Sequence, residues 1–312
     1  MAFIAIFVGI ILLIKGGDWL MRSAVALSLK LNIPKIVIGM TVVSFATSAP
    51  ELIVSIKSAL SGHPDLALGN VIGSNIANLG LVLGITIIIS PIRVNANFYK
   101  TDWPMMMSAT VLFFLFIFFD QKLSIYEGFT MLAMLISFLF YLIFFQKEII
   151  LDELSNDEST LSFLQISYYL VAGSFGLWLG SETLIKGAVS LAQENGVSER
   201  IISISIISVG TSIPELSASI VAVINKEKAI SIGNLIGSNI FNLLAVLGIT
   251  SIIAPVNVVD LGLLDNDIWW MIGISILIFP LAFILKRNEF SKFEGFILLA
   301  TYFAFLYPLI SG

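Results

Sequence analysis

Thr47-Ser48-Ala49-Pro50-Glu51 recurs as Thr211-Ser212-Ile213-Pro214-Glu215, and Gly69-Asn70-Val71-Ile72-Gly73-Ser74-Asn75-Ile76-Ala77-Asn78 recurs as Gly233-Asn234-Leu235-Ile236-Gly237-Ser238-Asn239-Ile240-Phe241-Asn242. Both pairs share one offset of 164 residues. Residues 44–94 align with 208–258 without a gap, and 26 of the 51 positions are identical. What repeats is polar, while the sequence around it is apolar. A duplicated polar centre inside hydrophobic segments is the pattern of a membrane transporter assembled from internal repeats.

The chain has 312 residues, 58% of them hydrophobic and 12% charged, against roughly 25% charged in a soluble domain. So little charge cannot cover a folded surface of this size in water. The class is therefore all-α integral membrane protein. Each span needs ~20 mostly apolar residues to cross ~30 Å of hydrocarbon. On that ruler ten spans are expected, near 3–29, 35–60, 66–90, 103–120, 124–146, 162–192, 200–225, 229–254, 268–286 and 293–310. The run from Met1 to Ile14 lacks a basic leading region and continues through Gly16-Gly17-Asp18-Trp19, so it reads as a retained span rather than a secretion signal.

Composition also excludes chemistries. Without cysteine there are no disulfides, thiol nucleophiles or thiolate metal sites. The single histidine, His63, sits beside Pro64 in an expected loop and cannot assemble a histidine-rich centre. The absence of HExxH spacing argues against an intramembrane metallohydrolase. A formal charge of −5 with no basic patch gives no sign of nucleic acid.

Residues 147–160 carry Glu148, Asp152, Glu153, Asp157 and Glu158 and read as a solvated linker. They separate an N-terminal five-helix half, 1–146, from a C-terminal one, 161–312, with the repeat cores at about 40–94 and 204–258. An odd number of spans per half makes the second copy enter the membrane from the opposite side, giving inverted repeats. With the N-terminus outside, eleven basic residues fall on the inner side and five on the outer. That bias predicts a multi-pass protein of the cell membrane with the N-terminus outside and the acidic linker in the cytoplasm. Trp103, Tyr126, Trp269 and Trp270 fall near span ends, as an interfacial aromatic belt requires.

Glu51 and Glu215 fall in the middle of the second span of each half. An ionised carboxylate at the bilayer centre costs at least ~2.5–3.5 kcal/mol, so a matched pair points to function. Pro50 and Pro214 each remove a backbone donor, free the carbonyl four residues earlier and predict a kink. Ser44, Thr47 and Ser48, with Ser208, Thr211 and Ser212, add hydroxyls close by. Ser74 and Asn78 lie at i and i+4 on one helix face, as do Ser238 and Asn242, and Asn70 and Asn234 extend those faces. Gly69, Gly73, Gly233 and Gly237 form small-xxx-small pairs that allow close helix approach.

Only oxygen ligands are on offer, which suits a hard cation such as calcium, sodium or potassium. Two carboxylates neutralise one Ca2+, whereas exchange for several Na+ moves net charge and responds to voltage. No cofactor is expected. Asp18 and Glu182 also correspond at the offset. They read either as entry-path acids or as wet helix positions paired with Arg22 and Lys186, four residues later.

The two blocks resemble the α-repeats of the cation/calcium exchanger superfamily, in particular prokaryotic sodium/calcium exchangers. The similarity extends over the chain in span count and linker position. The resemblance implies ten helices in two inverted halves, with the second, third, seventh and eighth spans around the ions. It implies that Glu51 and Glu215 are acidic ligands shared by Ca2+ and Na+, flanked by oxygens of Thr47, Ser48, Ser74, Thr211, Ser212 and Ser238. Asn78 and Asn242 would line the centre. Ser44 and Ser208 stand where members often have an alanine that contributes its carbonyl.

The implied activity is electrogenic Na+/Ca2+ antiport by alternating access, the first and sixth spans sliding across the core. Proton/calcium exchange is the alternative within the superfamily, and a passive channel the alternative outside it. Ten helices in the lipid bilayer are expected to function as a monomer. Asn242 departs from archaeal-type exchangers, which can carry aspartate there, and from the potassium-dependent branch, where aspartate is usual.

Overall fold

The computed structural model describes residues 2–146, 161–195, 208–284 and 288–311. The acidic linker 147–160, Arg200, the start of the expected seventh span, Lys286 and Arg287 lie outside the described residues. The helices are α1 (Ala2–Leu31), α2 (Lys35–Leu60), α3 (Pro64–Ile89), α4 (Phe98–Asp120), α5 (Ile125–Phe145), α6 (Phe163–Glu194), α7 (Ile213–Ile224), α8 (Lys228–Ile253), α9 (Leu263–Phe283) and α10 (Lys292–Ser311). Each falls on one expected span. Among the described residues seven of them, α1 to α5, α8 and α9, are long and apolar enough to cross a membrane. Large apolar side chains such as Phe3, Phe7, Phe119, Phe145 and Leu164 are exposed on the helices. Lipid tolerates that surface and water does not.

Helix starts follow from local sequence. Ser162 and Gln165 form a reciprocal capping box at the start of α6. Glu127 and Glu294 accept the backbone N–H of Ser124 and Ser291, at 2.6 and 2.7 Å, at the starts of α5 and α10. The helices α4 and α9 begin five residues before their expected spans, in π-turns at Phe98–Asp102 and Leu263–Asp267. Those turns hold Lys100, Asp102, Asp265 and Asp267, too polar to count as membrane sequence, yet the backbone stays helical through them.

Two compact units divide the residues, one of Met1–Thr47 and Phe140–Asn234, the other of Ser48–Leu139 and Leu235–Gly312. In the first, α1 and α6 run antiparallel in close contact. A Cβ on Gly16 would stand 2.7 Å from the Leu177 nitrogen and 2.9 Å from the Gly173 carbonyl; one on Gly9 would stand 2.9 Å from the Gly180 carbonyl. Small residues permit this backbone approach where lipid gives no hydrophobic drive. Leu13, Leu20, Met21 and Ala24 of α1 bury with Leu177, Ala218, Ala222 and Ile230. The hydroxyl of Ser217 on α7 donates to the Leu13 carbonyl at 3.0 Å. Asp18 pairs with Arg22 at 3.1 Å and Glu182 with Lys186 at 3.2 Å, each along its own helix.

In the second unit, β1 (Ile92–Arg93) pairs antiparallel with β4 (Glu289–Phe290), and β2 (Lys122–Leu123) with β3 (Val256–Asn257). β3 is the copy of β1 at the 164-residue offset. Each small sheet thus joins a strand from one half of the chain to a strand from the other. Gly84 packs on Gly295, and Gly128 on Gly248, with the same exchange of partners.

Candidate functional site

The candidate ligands fall into two clusters, one in each unit. In the second unit Ser48 and Glu51 lie on α2, Ser74 and Asn78 on α3, and Ser238 and Asn242 on α8, all buried. Glu51 has 0% exposure. Asn70, four residues before Ser74, donates from Nδ2 to the Glu51 carbonyl at 3.3 Å and to Ser55 Oγ at 3.0 Å. That ties α3 to the turn carrying the carboxylate. Asn78 and Asn242 each open a π-turn, Asn78–Val82 and Asn242–Leu247. Such bulges inside α-helices concentrate at functional positions, and here both copies have one at the same residue.

The polar atoms in this cluster are unevenly satisfied. Asn242 Nδ2 donates to Asn75 Oδ1 at 3.1 Å, and Asn75 Nδ2 to the Asn239 carbonyl at 3.3 Å. Ser48 Oγ, both amide atoms of Asn78 and Asn242 Oδ1 are buried and make no hydrogen bond among the described residues. Leaving a buried polar group unsatisfied costs ~1–3 kcal/mol. The oxygens among these atoms, on Ser48, Asn78 and Asn242, are the ones a cation could satisfy.

The first unit holds Ser44 and Thr47 on α2, Thr211, Ser212 and Glu215 at the start of α7, and Asn234 on α8. The Ser44 hydroxyl lies 2.8 Å from the Gly39 carbonyl and 3.0 Å from that of Asn234. Thr47 Oγ1 lies 3.2 Å from Asn234 Oδ1 and 3.3 Å from the Ser44 carbonyl, and Asn234 Nδ2 donates to Ser219 Oγ at 3.3 Å. These contacts need α2 and α8 close together. A Cβ on Gly39 would come within 2.6 Å of the Ile230 carbonyl, and one on Gly233 would strike that of Ile36. Glu215 has 0% exposure, and Ser212 Oγ is buried with no hydrogen bond among the described residues. Ser208 opens a short turn, Ser208–Gly210, and its side chain lies outside the description.

The two prolines behave differently. Pro50 sits inside α2, which continues through it to Leu60. Pro214 instead occupies the first turn of α7, after a break at Thr211 and Ser212. A proline in the first turn loses no helical hydrogen bond, so the second copy is interrupted rather than kinked. Glu215 is then a first-turn residue, where the helix N-terminus favours negative charge.

Sequence reasoning singled out neither Asn75 and Asn239 nor Ser55 and Ser219. The signal was available, because both pairs are identical across the 164-residue offset. No group of three His, Cys, Asp or Glu able to hold a metal forms among the described residues. Any cation held here takes most of its ligands from hydroxyl, amide and carbonyl oxygen, a set that fits hard alkali and alkaline-earth ions.

The sequence matches the family model described as sodium/calcium exchanger protein over residues 1–144 and 166–310. CaxA of Alkalimonas amylolytica is 36% identical over 100% of this chain and 99% of its own length. The sodium/calcium exchanger MaX1 of Methanosarcina acetivorans is 29% identical over 98% of each. Among solved structures, the sodium-calcium exchanger NCX_Mj soaked with Na+ and Ca2+ superposes with a TM-score of 0.82 at 26% identity. That match covers 97% of this chain and 96% of NCX_Mj.

Proposed function

The chain belongs to the sodium/calcium exchanger protein family, and from that membership we propose that it is an electrogenic antiporter exchanging several Na+ for one Ca2+ by alternating access. It is a membrane transporter and not an enzyme, as its relatives are. The observation that carries the proposal is the pair Glu51 and Glu215, both at 0% exposure and at equal places in the repeat. The unit of Glu51 also holds buried Ser48, Asn78 and Asn242, and that of Glu215 holds buried Ser212, with oxygens that make no hydrogen bond among the described residues. A buried carboxylate is tolerable in hydrocarbon only when a cation or proton neutralises it. Two carboxylates that accept either Ca2+ or Na+ make the two loads compete, which is the condition for exchange rather than co-transport.

In this reading Glu51 and Glu215 are the acidic ligands, and Thr47, Ser48, Ser74, Thr211, Ser212 and Ser238 supply neutral oxygen. Asn78 and Asn242 contribute amide oxygen, with Ser44 and Ser208 at the margin. The halves 1–146 and 161–312 form inverted five-helix repeats about the linker 147–160, and the α1/α6 pair is the element that slides. The chain works as a monomer in the cell membrane, N-terminus outside and linker in the cytoplasm.

The test is radiolabelled Ca2+ uptake into proteoliposomes loaded with Na+ and diluted into Na+-free buffer at clamped pH. Uptake that needs internal Na+ and disappears in Glu51→Gln is the expected result. Uptake driven by a pH gradient without Na+ would move the protein to proton/calcium exchange. Flux down the Ca2+ gradient with no counter-ion would make it a channel.

A further inference from the structure

One polar residue of the repeat with both ends of its side chain engaged is outside the proposed ligand set. Asn75 is buried on α3, next to Ser74. Both ends of its amide are engaged. Nδ2 donates to the Asn239 carbonyl at 3.3 Å and has Met271 Sδ at 3.9 Å, while Oδ1 accepts from Asn242 Nδ2 at 3.1 Å. A carbonyl can only accept, so it fixes which end of the Asn75 amide carries the nitrogen. Asn75 Oδ1 is then turned to Asn242 and can receive only that residue's NH2 group. Asn242 Oδ1 points elsewhere, buried and without a hydrogen bond among the described residues.

The reciprocal pair, Asn239 and Asn78, is not held this way. Both amide atoms of Asn78 lack a hydrogen bond among the described residues. Asn239, the copy of Asn75, turns its Nδ2 to the Leu235 carbonyl of its own helix at 2.7 Å. Identical residues therefore do different work in the two repeats: of Asn78 and Asn242, it is Asn242 whose amide is oriented by a residue of another helix.

Polarity matters for an amide ligand. Its oxygen attracts a cation and its NH2 group repels one, whereas the two oxygens of a carboxylate are equivalent. We infer that Asn75 is a positioning residue, which locks the Asn242 carboxamide with its oxygen free for the transported cation. The inference rests on the reading of Asn242 as a ligand given under Proposed function.

The test is a coupling measurement on the full chain in Na+-loaded proteoliposomes, reading the Ca2+ concentration for half-maximal uptake and the maximal rate. Partners that orient a metal ligand are typically worth 10–100-fold in affinity, so Asn75→Ala is expected to raise half-saturation about tenfold or more, with a smaller change in maximal rate. In an Asn242→Asp background the orientation is immaterial, and Asn75→Ala is expected to shift half-saturation by about twofold or less.

Equal shifts in both backgrounds would make Asn75 a packing residue and overturn the inference, as would no shift in the parent protein. Asn75→Leu, close in volume, carries the same comparison if the alanine cavity unfolds the protein. The ligand reading fails separately. Asn242→Ala with unaltered half-saturation would remove Asn242 from the ligand set, and this inference with it.

Discussion

The Thr47 hydroxyl lies 3.2 Å from the Asn234 amide oxygen and 3.3 Å from the Ser44 carbonyl of its own helix, and Asn234 is held in turn through its Nδ2 by Ser219 at 3.3 Å. The consequence is directional. Because the hydroxyl proton is directed to one of these acceptors, it is the oxygen, not the proton, that Thr47 would offer a cation. The Asn–Ser link belongs to both repeats, because Asn70 Nδ2 lies 3.0 Å from Ser55 Oγ. A duplicated bond between residues that are not themselves proposed ligands marks Asn70 and Asn234 as supports of the ligand shell.

Asn234→Leu should therefore weaken cation binding without removing a ligand. Loss of such a partner typically costs 10–100-fold in metal affinity, so half-maximal Ca2+ uptake should move up by about tenfold or more. Asn234→Asp keeps the acceptor for Thr47 and should lose less. Ser219→Ala, one step further out, should lose less again. Uptake titrations on the three variants would check that order, and equal losses would assign Asn234 to packing alone.

Glu51→Gln and Glu215→Gln each remove one charge from the pair while keeping side-chain shape. Either variant should be exported, purified and folded as the parent is, yet show no Na+-dependent Ca2+ uptake above background in proteoliposomes. Burial at 0% exposure means that neither carboxylate stabilises the fold through solvent contact, and a neutral side chain in hydrocarbon is the easier one to accommodate. Normal exchange by either variant would remove that glutamate from the ion-binding machinery.

The spans were legible because hydrophobicity needs only length and composition to be read. The second span, expected at 35–60, is Lys35–Leu60. The first turns of α4 and α9 were not legible, since residues such as Lys100 and Asp265 argue against membrane while the backbone continues as a π-turn. The repeat identified Ser48 and Asn78, but no pattern shows that their polar atoms make no hydrogen bond among the described residues. That property depends on what the rest of the fold places nearby. The different treatment of Pro50 and Pro214 was equally hidden, because both sit in the same Thr-Ser-x-Pro-Glu block and differ only in whether the helix before them continues.

The Gly39–Gly233 contact should tolerate no side chain. A Cβ at Gly39 would sit 2.6 Å from the Ile230 carbonyl and 3.1 Å from the Asn234 nitrogen, both backbone atoms that cannot rotate away. Overpacking typically costs ~1–3 kcal/mol, and here it would also pry Thr47 from Asn234. Gly39→Val and Gly233→Val should both lower the melting temperature in detergent and raise half-saturating Ca2+. Gly69 is the control. Its added Cβ would meet only Leu263 Cδ2, at an ordinary 3.8 Å, so Gly69→Ala should melt within a few degrees of the parent.

Charge movement separates the proposed exchange from an electroneutral one. If two Na+ leave for each Ca2+ that enters, no net charge crosses and membrane voltage has no thermodynamic hold. If three or more leave, positive charge moves outward with each cycle, and every elementary charge crossing the membrane is worth about 2.3 kcal/mol per 100 mV. In Na+-loaded vesicles an inside-positive potential should then speed Ca2+ uptake and an inside-negative one should slow it. The sign does not depend on which way the protein is inserted, because it is set by the ions. Clamping the potential with K+ and valinomycin at matched Na+ gradients would measure it. Rates independent of the clamp would leave antiport standing and replace the several-to-one exchange by a two-to-one exchange.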